Sequence, residues 1–167
     1  MNTDGKKGGV PTMTLPSDRE VLITCMFDAP RDLVFKAYTD PDLIPQWWGP
    51  KRFATTVDKM DVRPGGAWRF VHRGPGGEEH GFRGRYVEVK APERLVLSFE
   101  YEGMPGHVSQ ETMTFEELNG QTKLTNKSVF PTVEDRDGML NSGMEQGMIE
   151  TMGRLAELLA ELEIKTK

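Results

Sequence analysis

Between Phe53 and Phe130 the chain keeps a two-residue hydrophobic rhythm and breaks it at five places with turn residues. The breaks are Arg63-Pro64-Gly65-Gly66, Gly74-Pro75-Gly76-Gly77, Ala91-Pro92, Met104-Pro105-Gly106 and Asn119-Gly120. Successive side chains of a strand point to opposite faces, so this rhythm marks strands, and Gly, Pro and Asn-Gly mark their ends. Six strands are expected, at about 53–61, 66–73, 79–90, 94–102, 108–118 and 121–130. Links this short join antiparallel neighbours, which makes the run a meander. One face of it is apolar and aromatic, carrying Trp68, Phe70 and His72, then Leu95, Leu97, Phe99 and Tyr101, then Met113 and Phe115.

The rhythm changes after the meander. Leu140, Met144, Met148, Thr151, Leu155, Leu158 and Leu162 step by three or four, the spacing of one helical face. Thr132 with Asp135, and Ser142 with Glu145, are start signals of the capping type. They predict a helical turn at 133–140, a break near Asn141 and a long helix over 143–163. Upstream, REVLITCMF at 19–27 reads as a strand. Pro30 opens a short helix over 30–38 with Leu33, Val34 and Ala37 on one face. Asp40-Pro41 opens a second short helix that ends at Gly49-Pro50.

These elements define an α+β chain: a curved seven-strand antiparallel sheet, two short helices after the first strand, and one long C-terminal helix. Both apolar faces are hidden if the sheet wraps around the long helix and the short helices plug one end. Trp47 and Trp48 lie about 100° apart on a helix. One is expected against the long helix or a cavity mouth, and its twin against the outer sheet edge or the following loop.

With 167 residues, one domain over 18–167 is expected, preceded by a flexible tail at 1–17. The net charge of −5 argues against a nucleic-acid binder, which needs a basic face. No apolar run reaches the length of a membrane span, so no membrane insertion is expected. The first residues lack the apolar core of a secretory signal. The single cysteine, Cys25, allows no internal disulfide and suits a reducing cytoplasm, and its strand setting reads as inert.

The aromatic set Trp47, Trp48, Trp68, Phe70, Phe82, Tyr86, Phe99 and Phe115, with Met113, either lines a cavity or fills a core. Met139, Met144, Met148 and Met152, with Gly143 and Gly147 one turn apart, suit a cavity wall or ordinary packing. Met144 and Met148 join the candidate ligand-binding set. Pairing Phe70 with Phe82 sets His72 opposite His80, a pair expected to be partly exposed near a hairpin tip. Two histidines without cysteine fall short of a zinc set, so no metal is expected. Counting by twos turns Glu111, Asn126 and Ser128 inward. Glu111 is the first candidate acid, with Glu88 and His72 as companions, because a carboxyl facing an apolar pocket has a raised pKa. The alternative is a rim carboxylate paired with Arg83 or Arg85. No phosphate loop stands out, and no cofactor is expected.

The stretches FDAPRDLVFKAYTDPDLIPQWWGP, DVRPGGAWRFVHRGPGGEEHGFRGRYVEV, PERLVLSFEYEG and SGMEQGMIETMGRLAELL, in that order, resemble the START-like or helix-grip superfamily, which includes the major birch pollen allergen. Within it they are similar to the SRPBCC branch related to the C-terminal domain of the activator of the heat-shock-protein-ninety ATPase. The resemblance runs over about residues 19–163, and Cys25 and Pro45 are departures from it. It implies the helix-grip fold. It also implies one of three functions: binding of a hydrophobic small molecule, lipid-like or aromatic and polyketide-like; a cyclase or hydrolase using an inward acid; or regulation of a chaperone partner in a stress response. Monomer and homodimer are both compatible with it.

Overall fold

The computed structural model describes residues 10–166. Eight strands form one antiparallel sheet in the order β1-β2-β8-β7-β6-β5-β4-β3. They are β1 Thr12–Thr14, β2 Glu20–Phe27, β3 Ala54–Met60, β4 Ala67–Arg73, β5 Glu79–Lys90, β6 Arg94–Tyr101, β7 Val108–Leu118 and β8 Gln121–Val129. The meander runs as the alternation predicts, and β2 closes on its last strand. The strand count is one higher than expected. Thr12–Thr14, inside the stretch read as a tail, pairs with Thr24 to Leu22 of β2. Three residues are too short to display an alternation. Residues 1–9 of that tail lie outside the described residues.

Local chemistry explains the hairpins. Asn119 and Gly120 both have positive φ, 54° and 83°, so Leu118 pairs directly with Gln121 across a two-residue turn. Phe70 pairs with Phe82 and His72 with His80, the expected register. A bulge interrupts β5 between Tyr86 and Glu88. An extra residue there exchanges the faces of the rest of the strand, so Val89 pairs with inward Leu95 while Glu88 pairs with Val96.

Helix α1 spans Arg31–Thr39 and buries Val34, Phe35, Ala37 and Tyr38. The second expected helix is reduced to a single 3-10 turn, Ile44–Gln46. Pro45 brings no N–H donor to an α-helical ladder there, and Asp40 Oδ1 instead accepts from the backbone N–H of Asp42 at 2.9 Å. Helix α2 spans Val133–Leu140, with Thr132 Oγ1 accepting from the backbone N–H of Asp135 at 3.0 Å. Helix α3 spans Met144–Thr166.

The core lies between α3 and the inner face of the sheet. Met148, Met152, Leu155, Leu158 and Leu159 of α3 share one buried cluster with Val21 and Ile23 of β2, Leu95 of β6, Phe115 of β7 and Leu124 of β8. Burying each large apolar side chain contributes about 1.5–3 kcal/mol. Helix α1 and the 3-10 turn add Val34, Phe35, Ile44 and Trp47 to the same cluster.

Candidate functional site

A partly open cavity of about 350 Å³ remains between α3, the segment around residues 44–50 and the inner face of the sheet. Its size falls at the small end of ordinary ligand pockets. Trp47, Trp48, Trp68, Phe82, Phe99, Met113, Met144 and Met148 line it. Phe70, Tyr86 and Phe115 share the inward face yet do not line the cavity. Phe70 is covered by Trp68 and Trp48, with ring centroids 4.8 and 5.0 Å away. Phe115 is covered by Phe35 and Tyr38 of α1, each at 5.3 Å. Tyr86 is buried, and that burial raises its phenol pKa. The wall also takes Met152 from α3, together with Ile23 from β2, Tyr38 from α1 and Leu124 from β8, three residues outside the expected set. Counting by twos along β2 and β8 puts Ile23 and Leu124 on the inner face. Nothing local marks Tyr38.

The two adjacent tryptophans divide the work, and both turn inward. Trp47 is 1% exposed, its Nε1 donates to Ala37 O at 3.0 Å, and its ring lies 4.7 Å from Tyr38. Trp48 meets Phe70, His72 and Phe82 edge-on at 5.0, 5.0 and 5.4 Å. The twin expected on the outer sheet edge or the following loop, Trp48, packs instead on these inward rings of β4 and β5. The 3-10 turn ends at once, and Gly49 takes φ +91°, which swings Trp48 over β4 and β5. Helix α3 holds this turn from the other side. Arg154 donates to Gly49 O at 2.6 Å and to Gln46 O at 3.1 Å, and Glu150 accepts from the backbone N–H of Lys51 at 2.8 Å. Trp68 is fixed by donating Nε1 to Ser98 O at 3.2 Å. That reach needs a glycine at position 84, where a Cβ would stand 1.8 Å from Ser98 O.

His72 is 6% exposed, not the partly exposed residue expected of a hairpin tip. Phe53 stacks on it at 5.1 Å and Trp48 covers an edge. Burial first, then the neighbouring His80, lowers its pKa to about 4, so the ring is neutral at pH 7. Its Nε2 is buried without a hydrogen-bond partner. His80 turns away to Tyr101, Nδ1 to hydroxyl 2.8 Å.

Glu111 lines the cavity from the middle of β7. Ser128 Oγ donates to its Oε1 at 2.6 Å and Ser109 Oγ to its Oε2 at 2.9 Å. Burial raises its pKa against the opposing pull of the two serines. The rim pairing with Arg83 or Arg85 does not form: Arg83 binds Glu100 at 3.1 Å and Arg85 donates to Gly65 O at 3.0 Å. Glu88, the expected companion, is turned to the other face by the β5 bulge and pairs with Arg94 at 3.0 Å. The acid and the neutral imidazole thus share the cavity wall, while Glu88 stands apart from it. Burial favours the protonated form of this carboxyl, which suits it to general acid or base work, and the aromatic wall can hold an apolar body.

A sheet gripping one long helix, with a cavity between them, defines a START-like helix-grip protein. The chain belongs to the family described as Activator of Hsp90 ATPase homolog 1-like protein, whose model matches residues 28–160. A crystal structure of a Rhodobacter sphaeroides protein, 27% identical, superposes with a TM-score of 0.87 over 92% of this chain and 99% of that one. A solution structure from Arthrobacter aurescens, 26% identical, gives 0.85 over 92% and 93% of the two chains. DynU16, a protein of the dynemicin biosynthetic locus, is 25% identical, with a TM-score of 0.67 over 86% of this chain and 48% of its own. No curated protein gives a significant sequence match.

Proposed function

We propose that this protein binds a hydrophobic small molecule between its sheet and α3. The observation that carries the reading is the cavity of about 350 Å³ with Trp48, Trp68, Phe82 and Phe99 on one side and the flexible Met144 and Met148 on the other. Aromatic faces and thioethers give apolar contact without demanding one shape. The ligand classes that this wall suits are lipid-like molecules and aromatic, polyketide-like ones. A neutral naphthalene dye should brighten on binding, and Met148→Trp should abolish the signal by filling the space. Dye binding unchanged in Met148→Trp, with the variant folded, would place the ligand elsewhere.

Glu111 favours a second reading, a cyclase or hydrolase that uses this acid on the bound molecule. Native mass spectrometry of protein from its own cells identifies the bound molecule, and turnover of that molecule separates the two, because an enzyme would release a product where a binder returns its ligand unchanged. The family description names activation of the Hsp90 ATPase. For this chain that role is a third reading, tested by adding it to a chaperone ATPase assay.

A further inference from the structure

The polar part of the cavity bears on what the occupant is. Among the described residues, Glu111 is the only carboxylate on the cavity wall, and no Lys or Arg lines it. None of the described ion pairs includes Glu111. A carboxylate offers about four lone-pair sites, and the two serines occupy one on each oxygen. Register places Asn126 one diagonal step away on the same face, since Glu111 stands opposite Ser128 and Met113 opposite Asn126. Asn126 Oδ1 is buried and has no hydrogen-bond partner. This end of the cavity therefore keeps open acceptor positions on Glu111 and on Asn126 Oδ1, the first on a group that can carry negative charge with no cation on the wall beside it.

Three kinds of ligand respond differently to such a site. A carboxylate ligand brings a second negative charge with nothing to receive it, which a buried site penalises. A bare hydrocarbon leaves the remaining lone pairs of Glu111, beyond those the two serines occupy, without a donor. An ammonium offers three donors and no acceptor, the complement of what Glu111 presents. Its charge also gains from the faces of Trp and Phe rings. Resting on the cavity reading above, we propose that the site takes a hydrophobic primary amine, its ammonium on Glu111 and its apolar body among Trp48, Trp68, Phe82 and Phe99.

The test uses the full chain and three probes of nearly one shape: naphthylmethylamine, ethylnaphthalene and naphthoate, each displacing the neutral dye at pH 7. The amine should bind about tenfold or more tighter than ethylnaphthalene, as hydrogen bonds to a charged group allow, and naphthoate should bind weakest. Glu111→Gln should remove the amine's advantage. Ethylnaphthalene binding the wild type as tightly as the amine, or an amine advantage that survives in Glu111→Gln, would overturn the proposal and leave the cavity reading in place. Failure of the dye and of all three probes to bind would instead remove the cavity reading and this proposal with it.

Discussion

Ser128 Oγ donates to Glu111 Oε1 at 2.6 Å from the directly opposite position of the neighbouring strand. The bond supports the ionised acid, yet burial outweighs it and the pKa is raised. A raised carboxyl pKa means that folding favours the protonated form. Its contribution to stability is present below the ordinary value of 4.5 and is lost as pH rises through the folded-state pKa. Glu111→Gln keeps the shape and removes the charge, so it should be more stable than wild type at pH 7 and no more stable below pH 4.5. Urea melts at the two pH values check this, and a variant less stable at pH 7 would contradict it.

The tryptophans should separate clearly in denaturant melts. Trp47→Ala removes a fully buried indole and leaves Ala37 O without its donor, at about 3–5 kcal/mol. Trp48→Ala, at a half-buried position beside the cavity, should cost clearly less and should weaken dye binding instead. Equal losses in the two variants would show that the division of roles is wrong.

His72 gives the opposite pH sign to Glu111. Its folded-state pKa is about 4 against an ordinary 6.5, so the neutral ring is the form the fold favours. The contribution is complete above pH 6.5 and is lost as pH falls towards 4, by up to about 3 kcal/mol. His72→Phe should flatten that acid-side loss. An NMR titration of the His72 ring with a midpoint near 6.5 would defeat the argument.

Gly49 should tolerate alanine worse than Gly143. Both have positive φ, +91° and +87°, so each substitution carries the same backbone strain. At Gly49 the added Cβ would also stand 2.4 Å from His72 Nε2, whereas at Gly143 nothing lies within 4 Å. Thermal melts should therefore rank Gly49→Ala below Gly143→Ala. The reverse order would mean that the Gly49–His72 contact gives way easily.

Particular residues show how far the fold and the site are legible along the chain. The Phe70–Phe82 and His72–His80 pairings follow from one hairpin and an alternation on either side of it. The Thr132 cap follows from a spacing of three. Alternation misplaces Glu88 because a bulge at the preceding residues reverses the faces, and a bulge has no fixed composition. It misses strand β1 because three residues carry no period.

What the sequence by itself determined is therefore local: six meander strands, their turns, a long amphipathic helix, and an inward face bearing Glu111, His72 and the aromatics. Alternation and capping depend on neighbours a few residues apart, so they are visible along the chain. The tertiary structure decided which inward residues meet empty space and which meet another side chain. Phe115 is sealed by Phe35 and Tyr38, eighty and seventy-seven positions earlier, while Met113, two residues before it, is left on the cavity wall. That outcome rests on where α1 and α3 come to lie across the sheet, and such packing between distant segments leaves no periodic mark in the sequence.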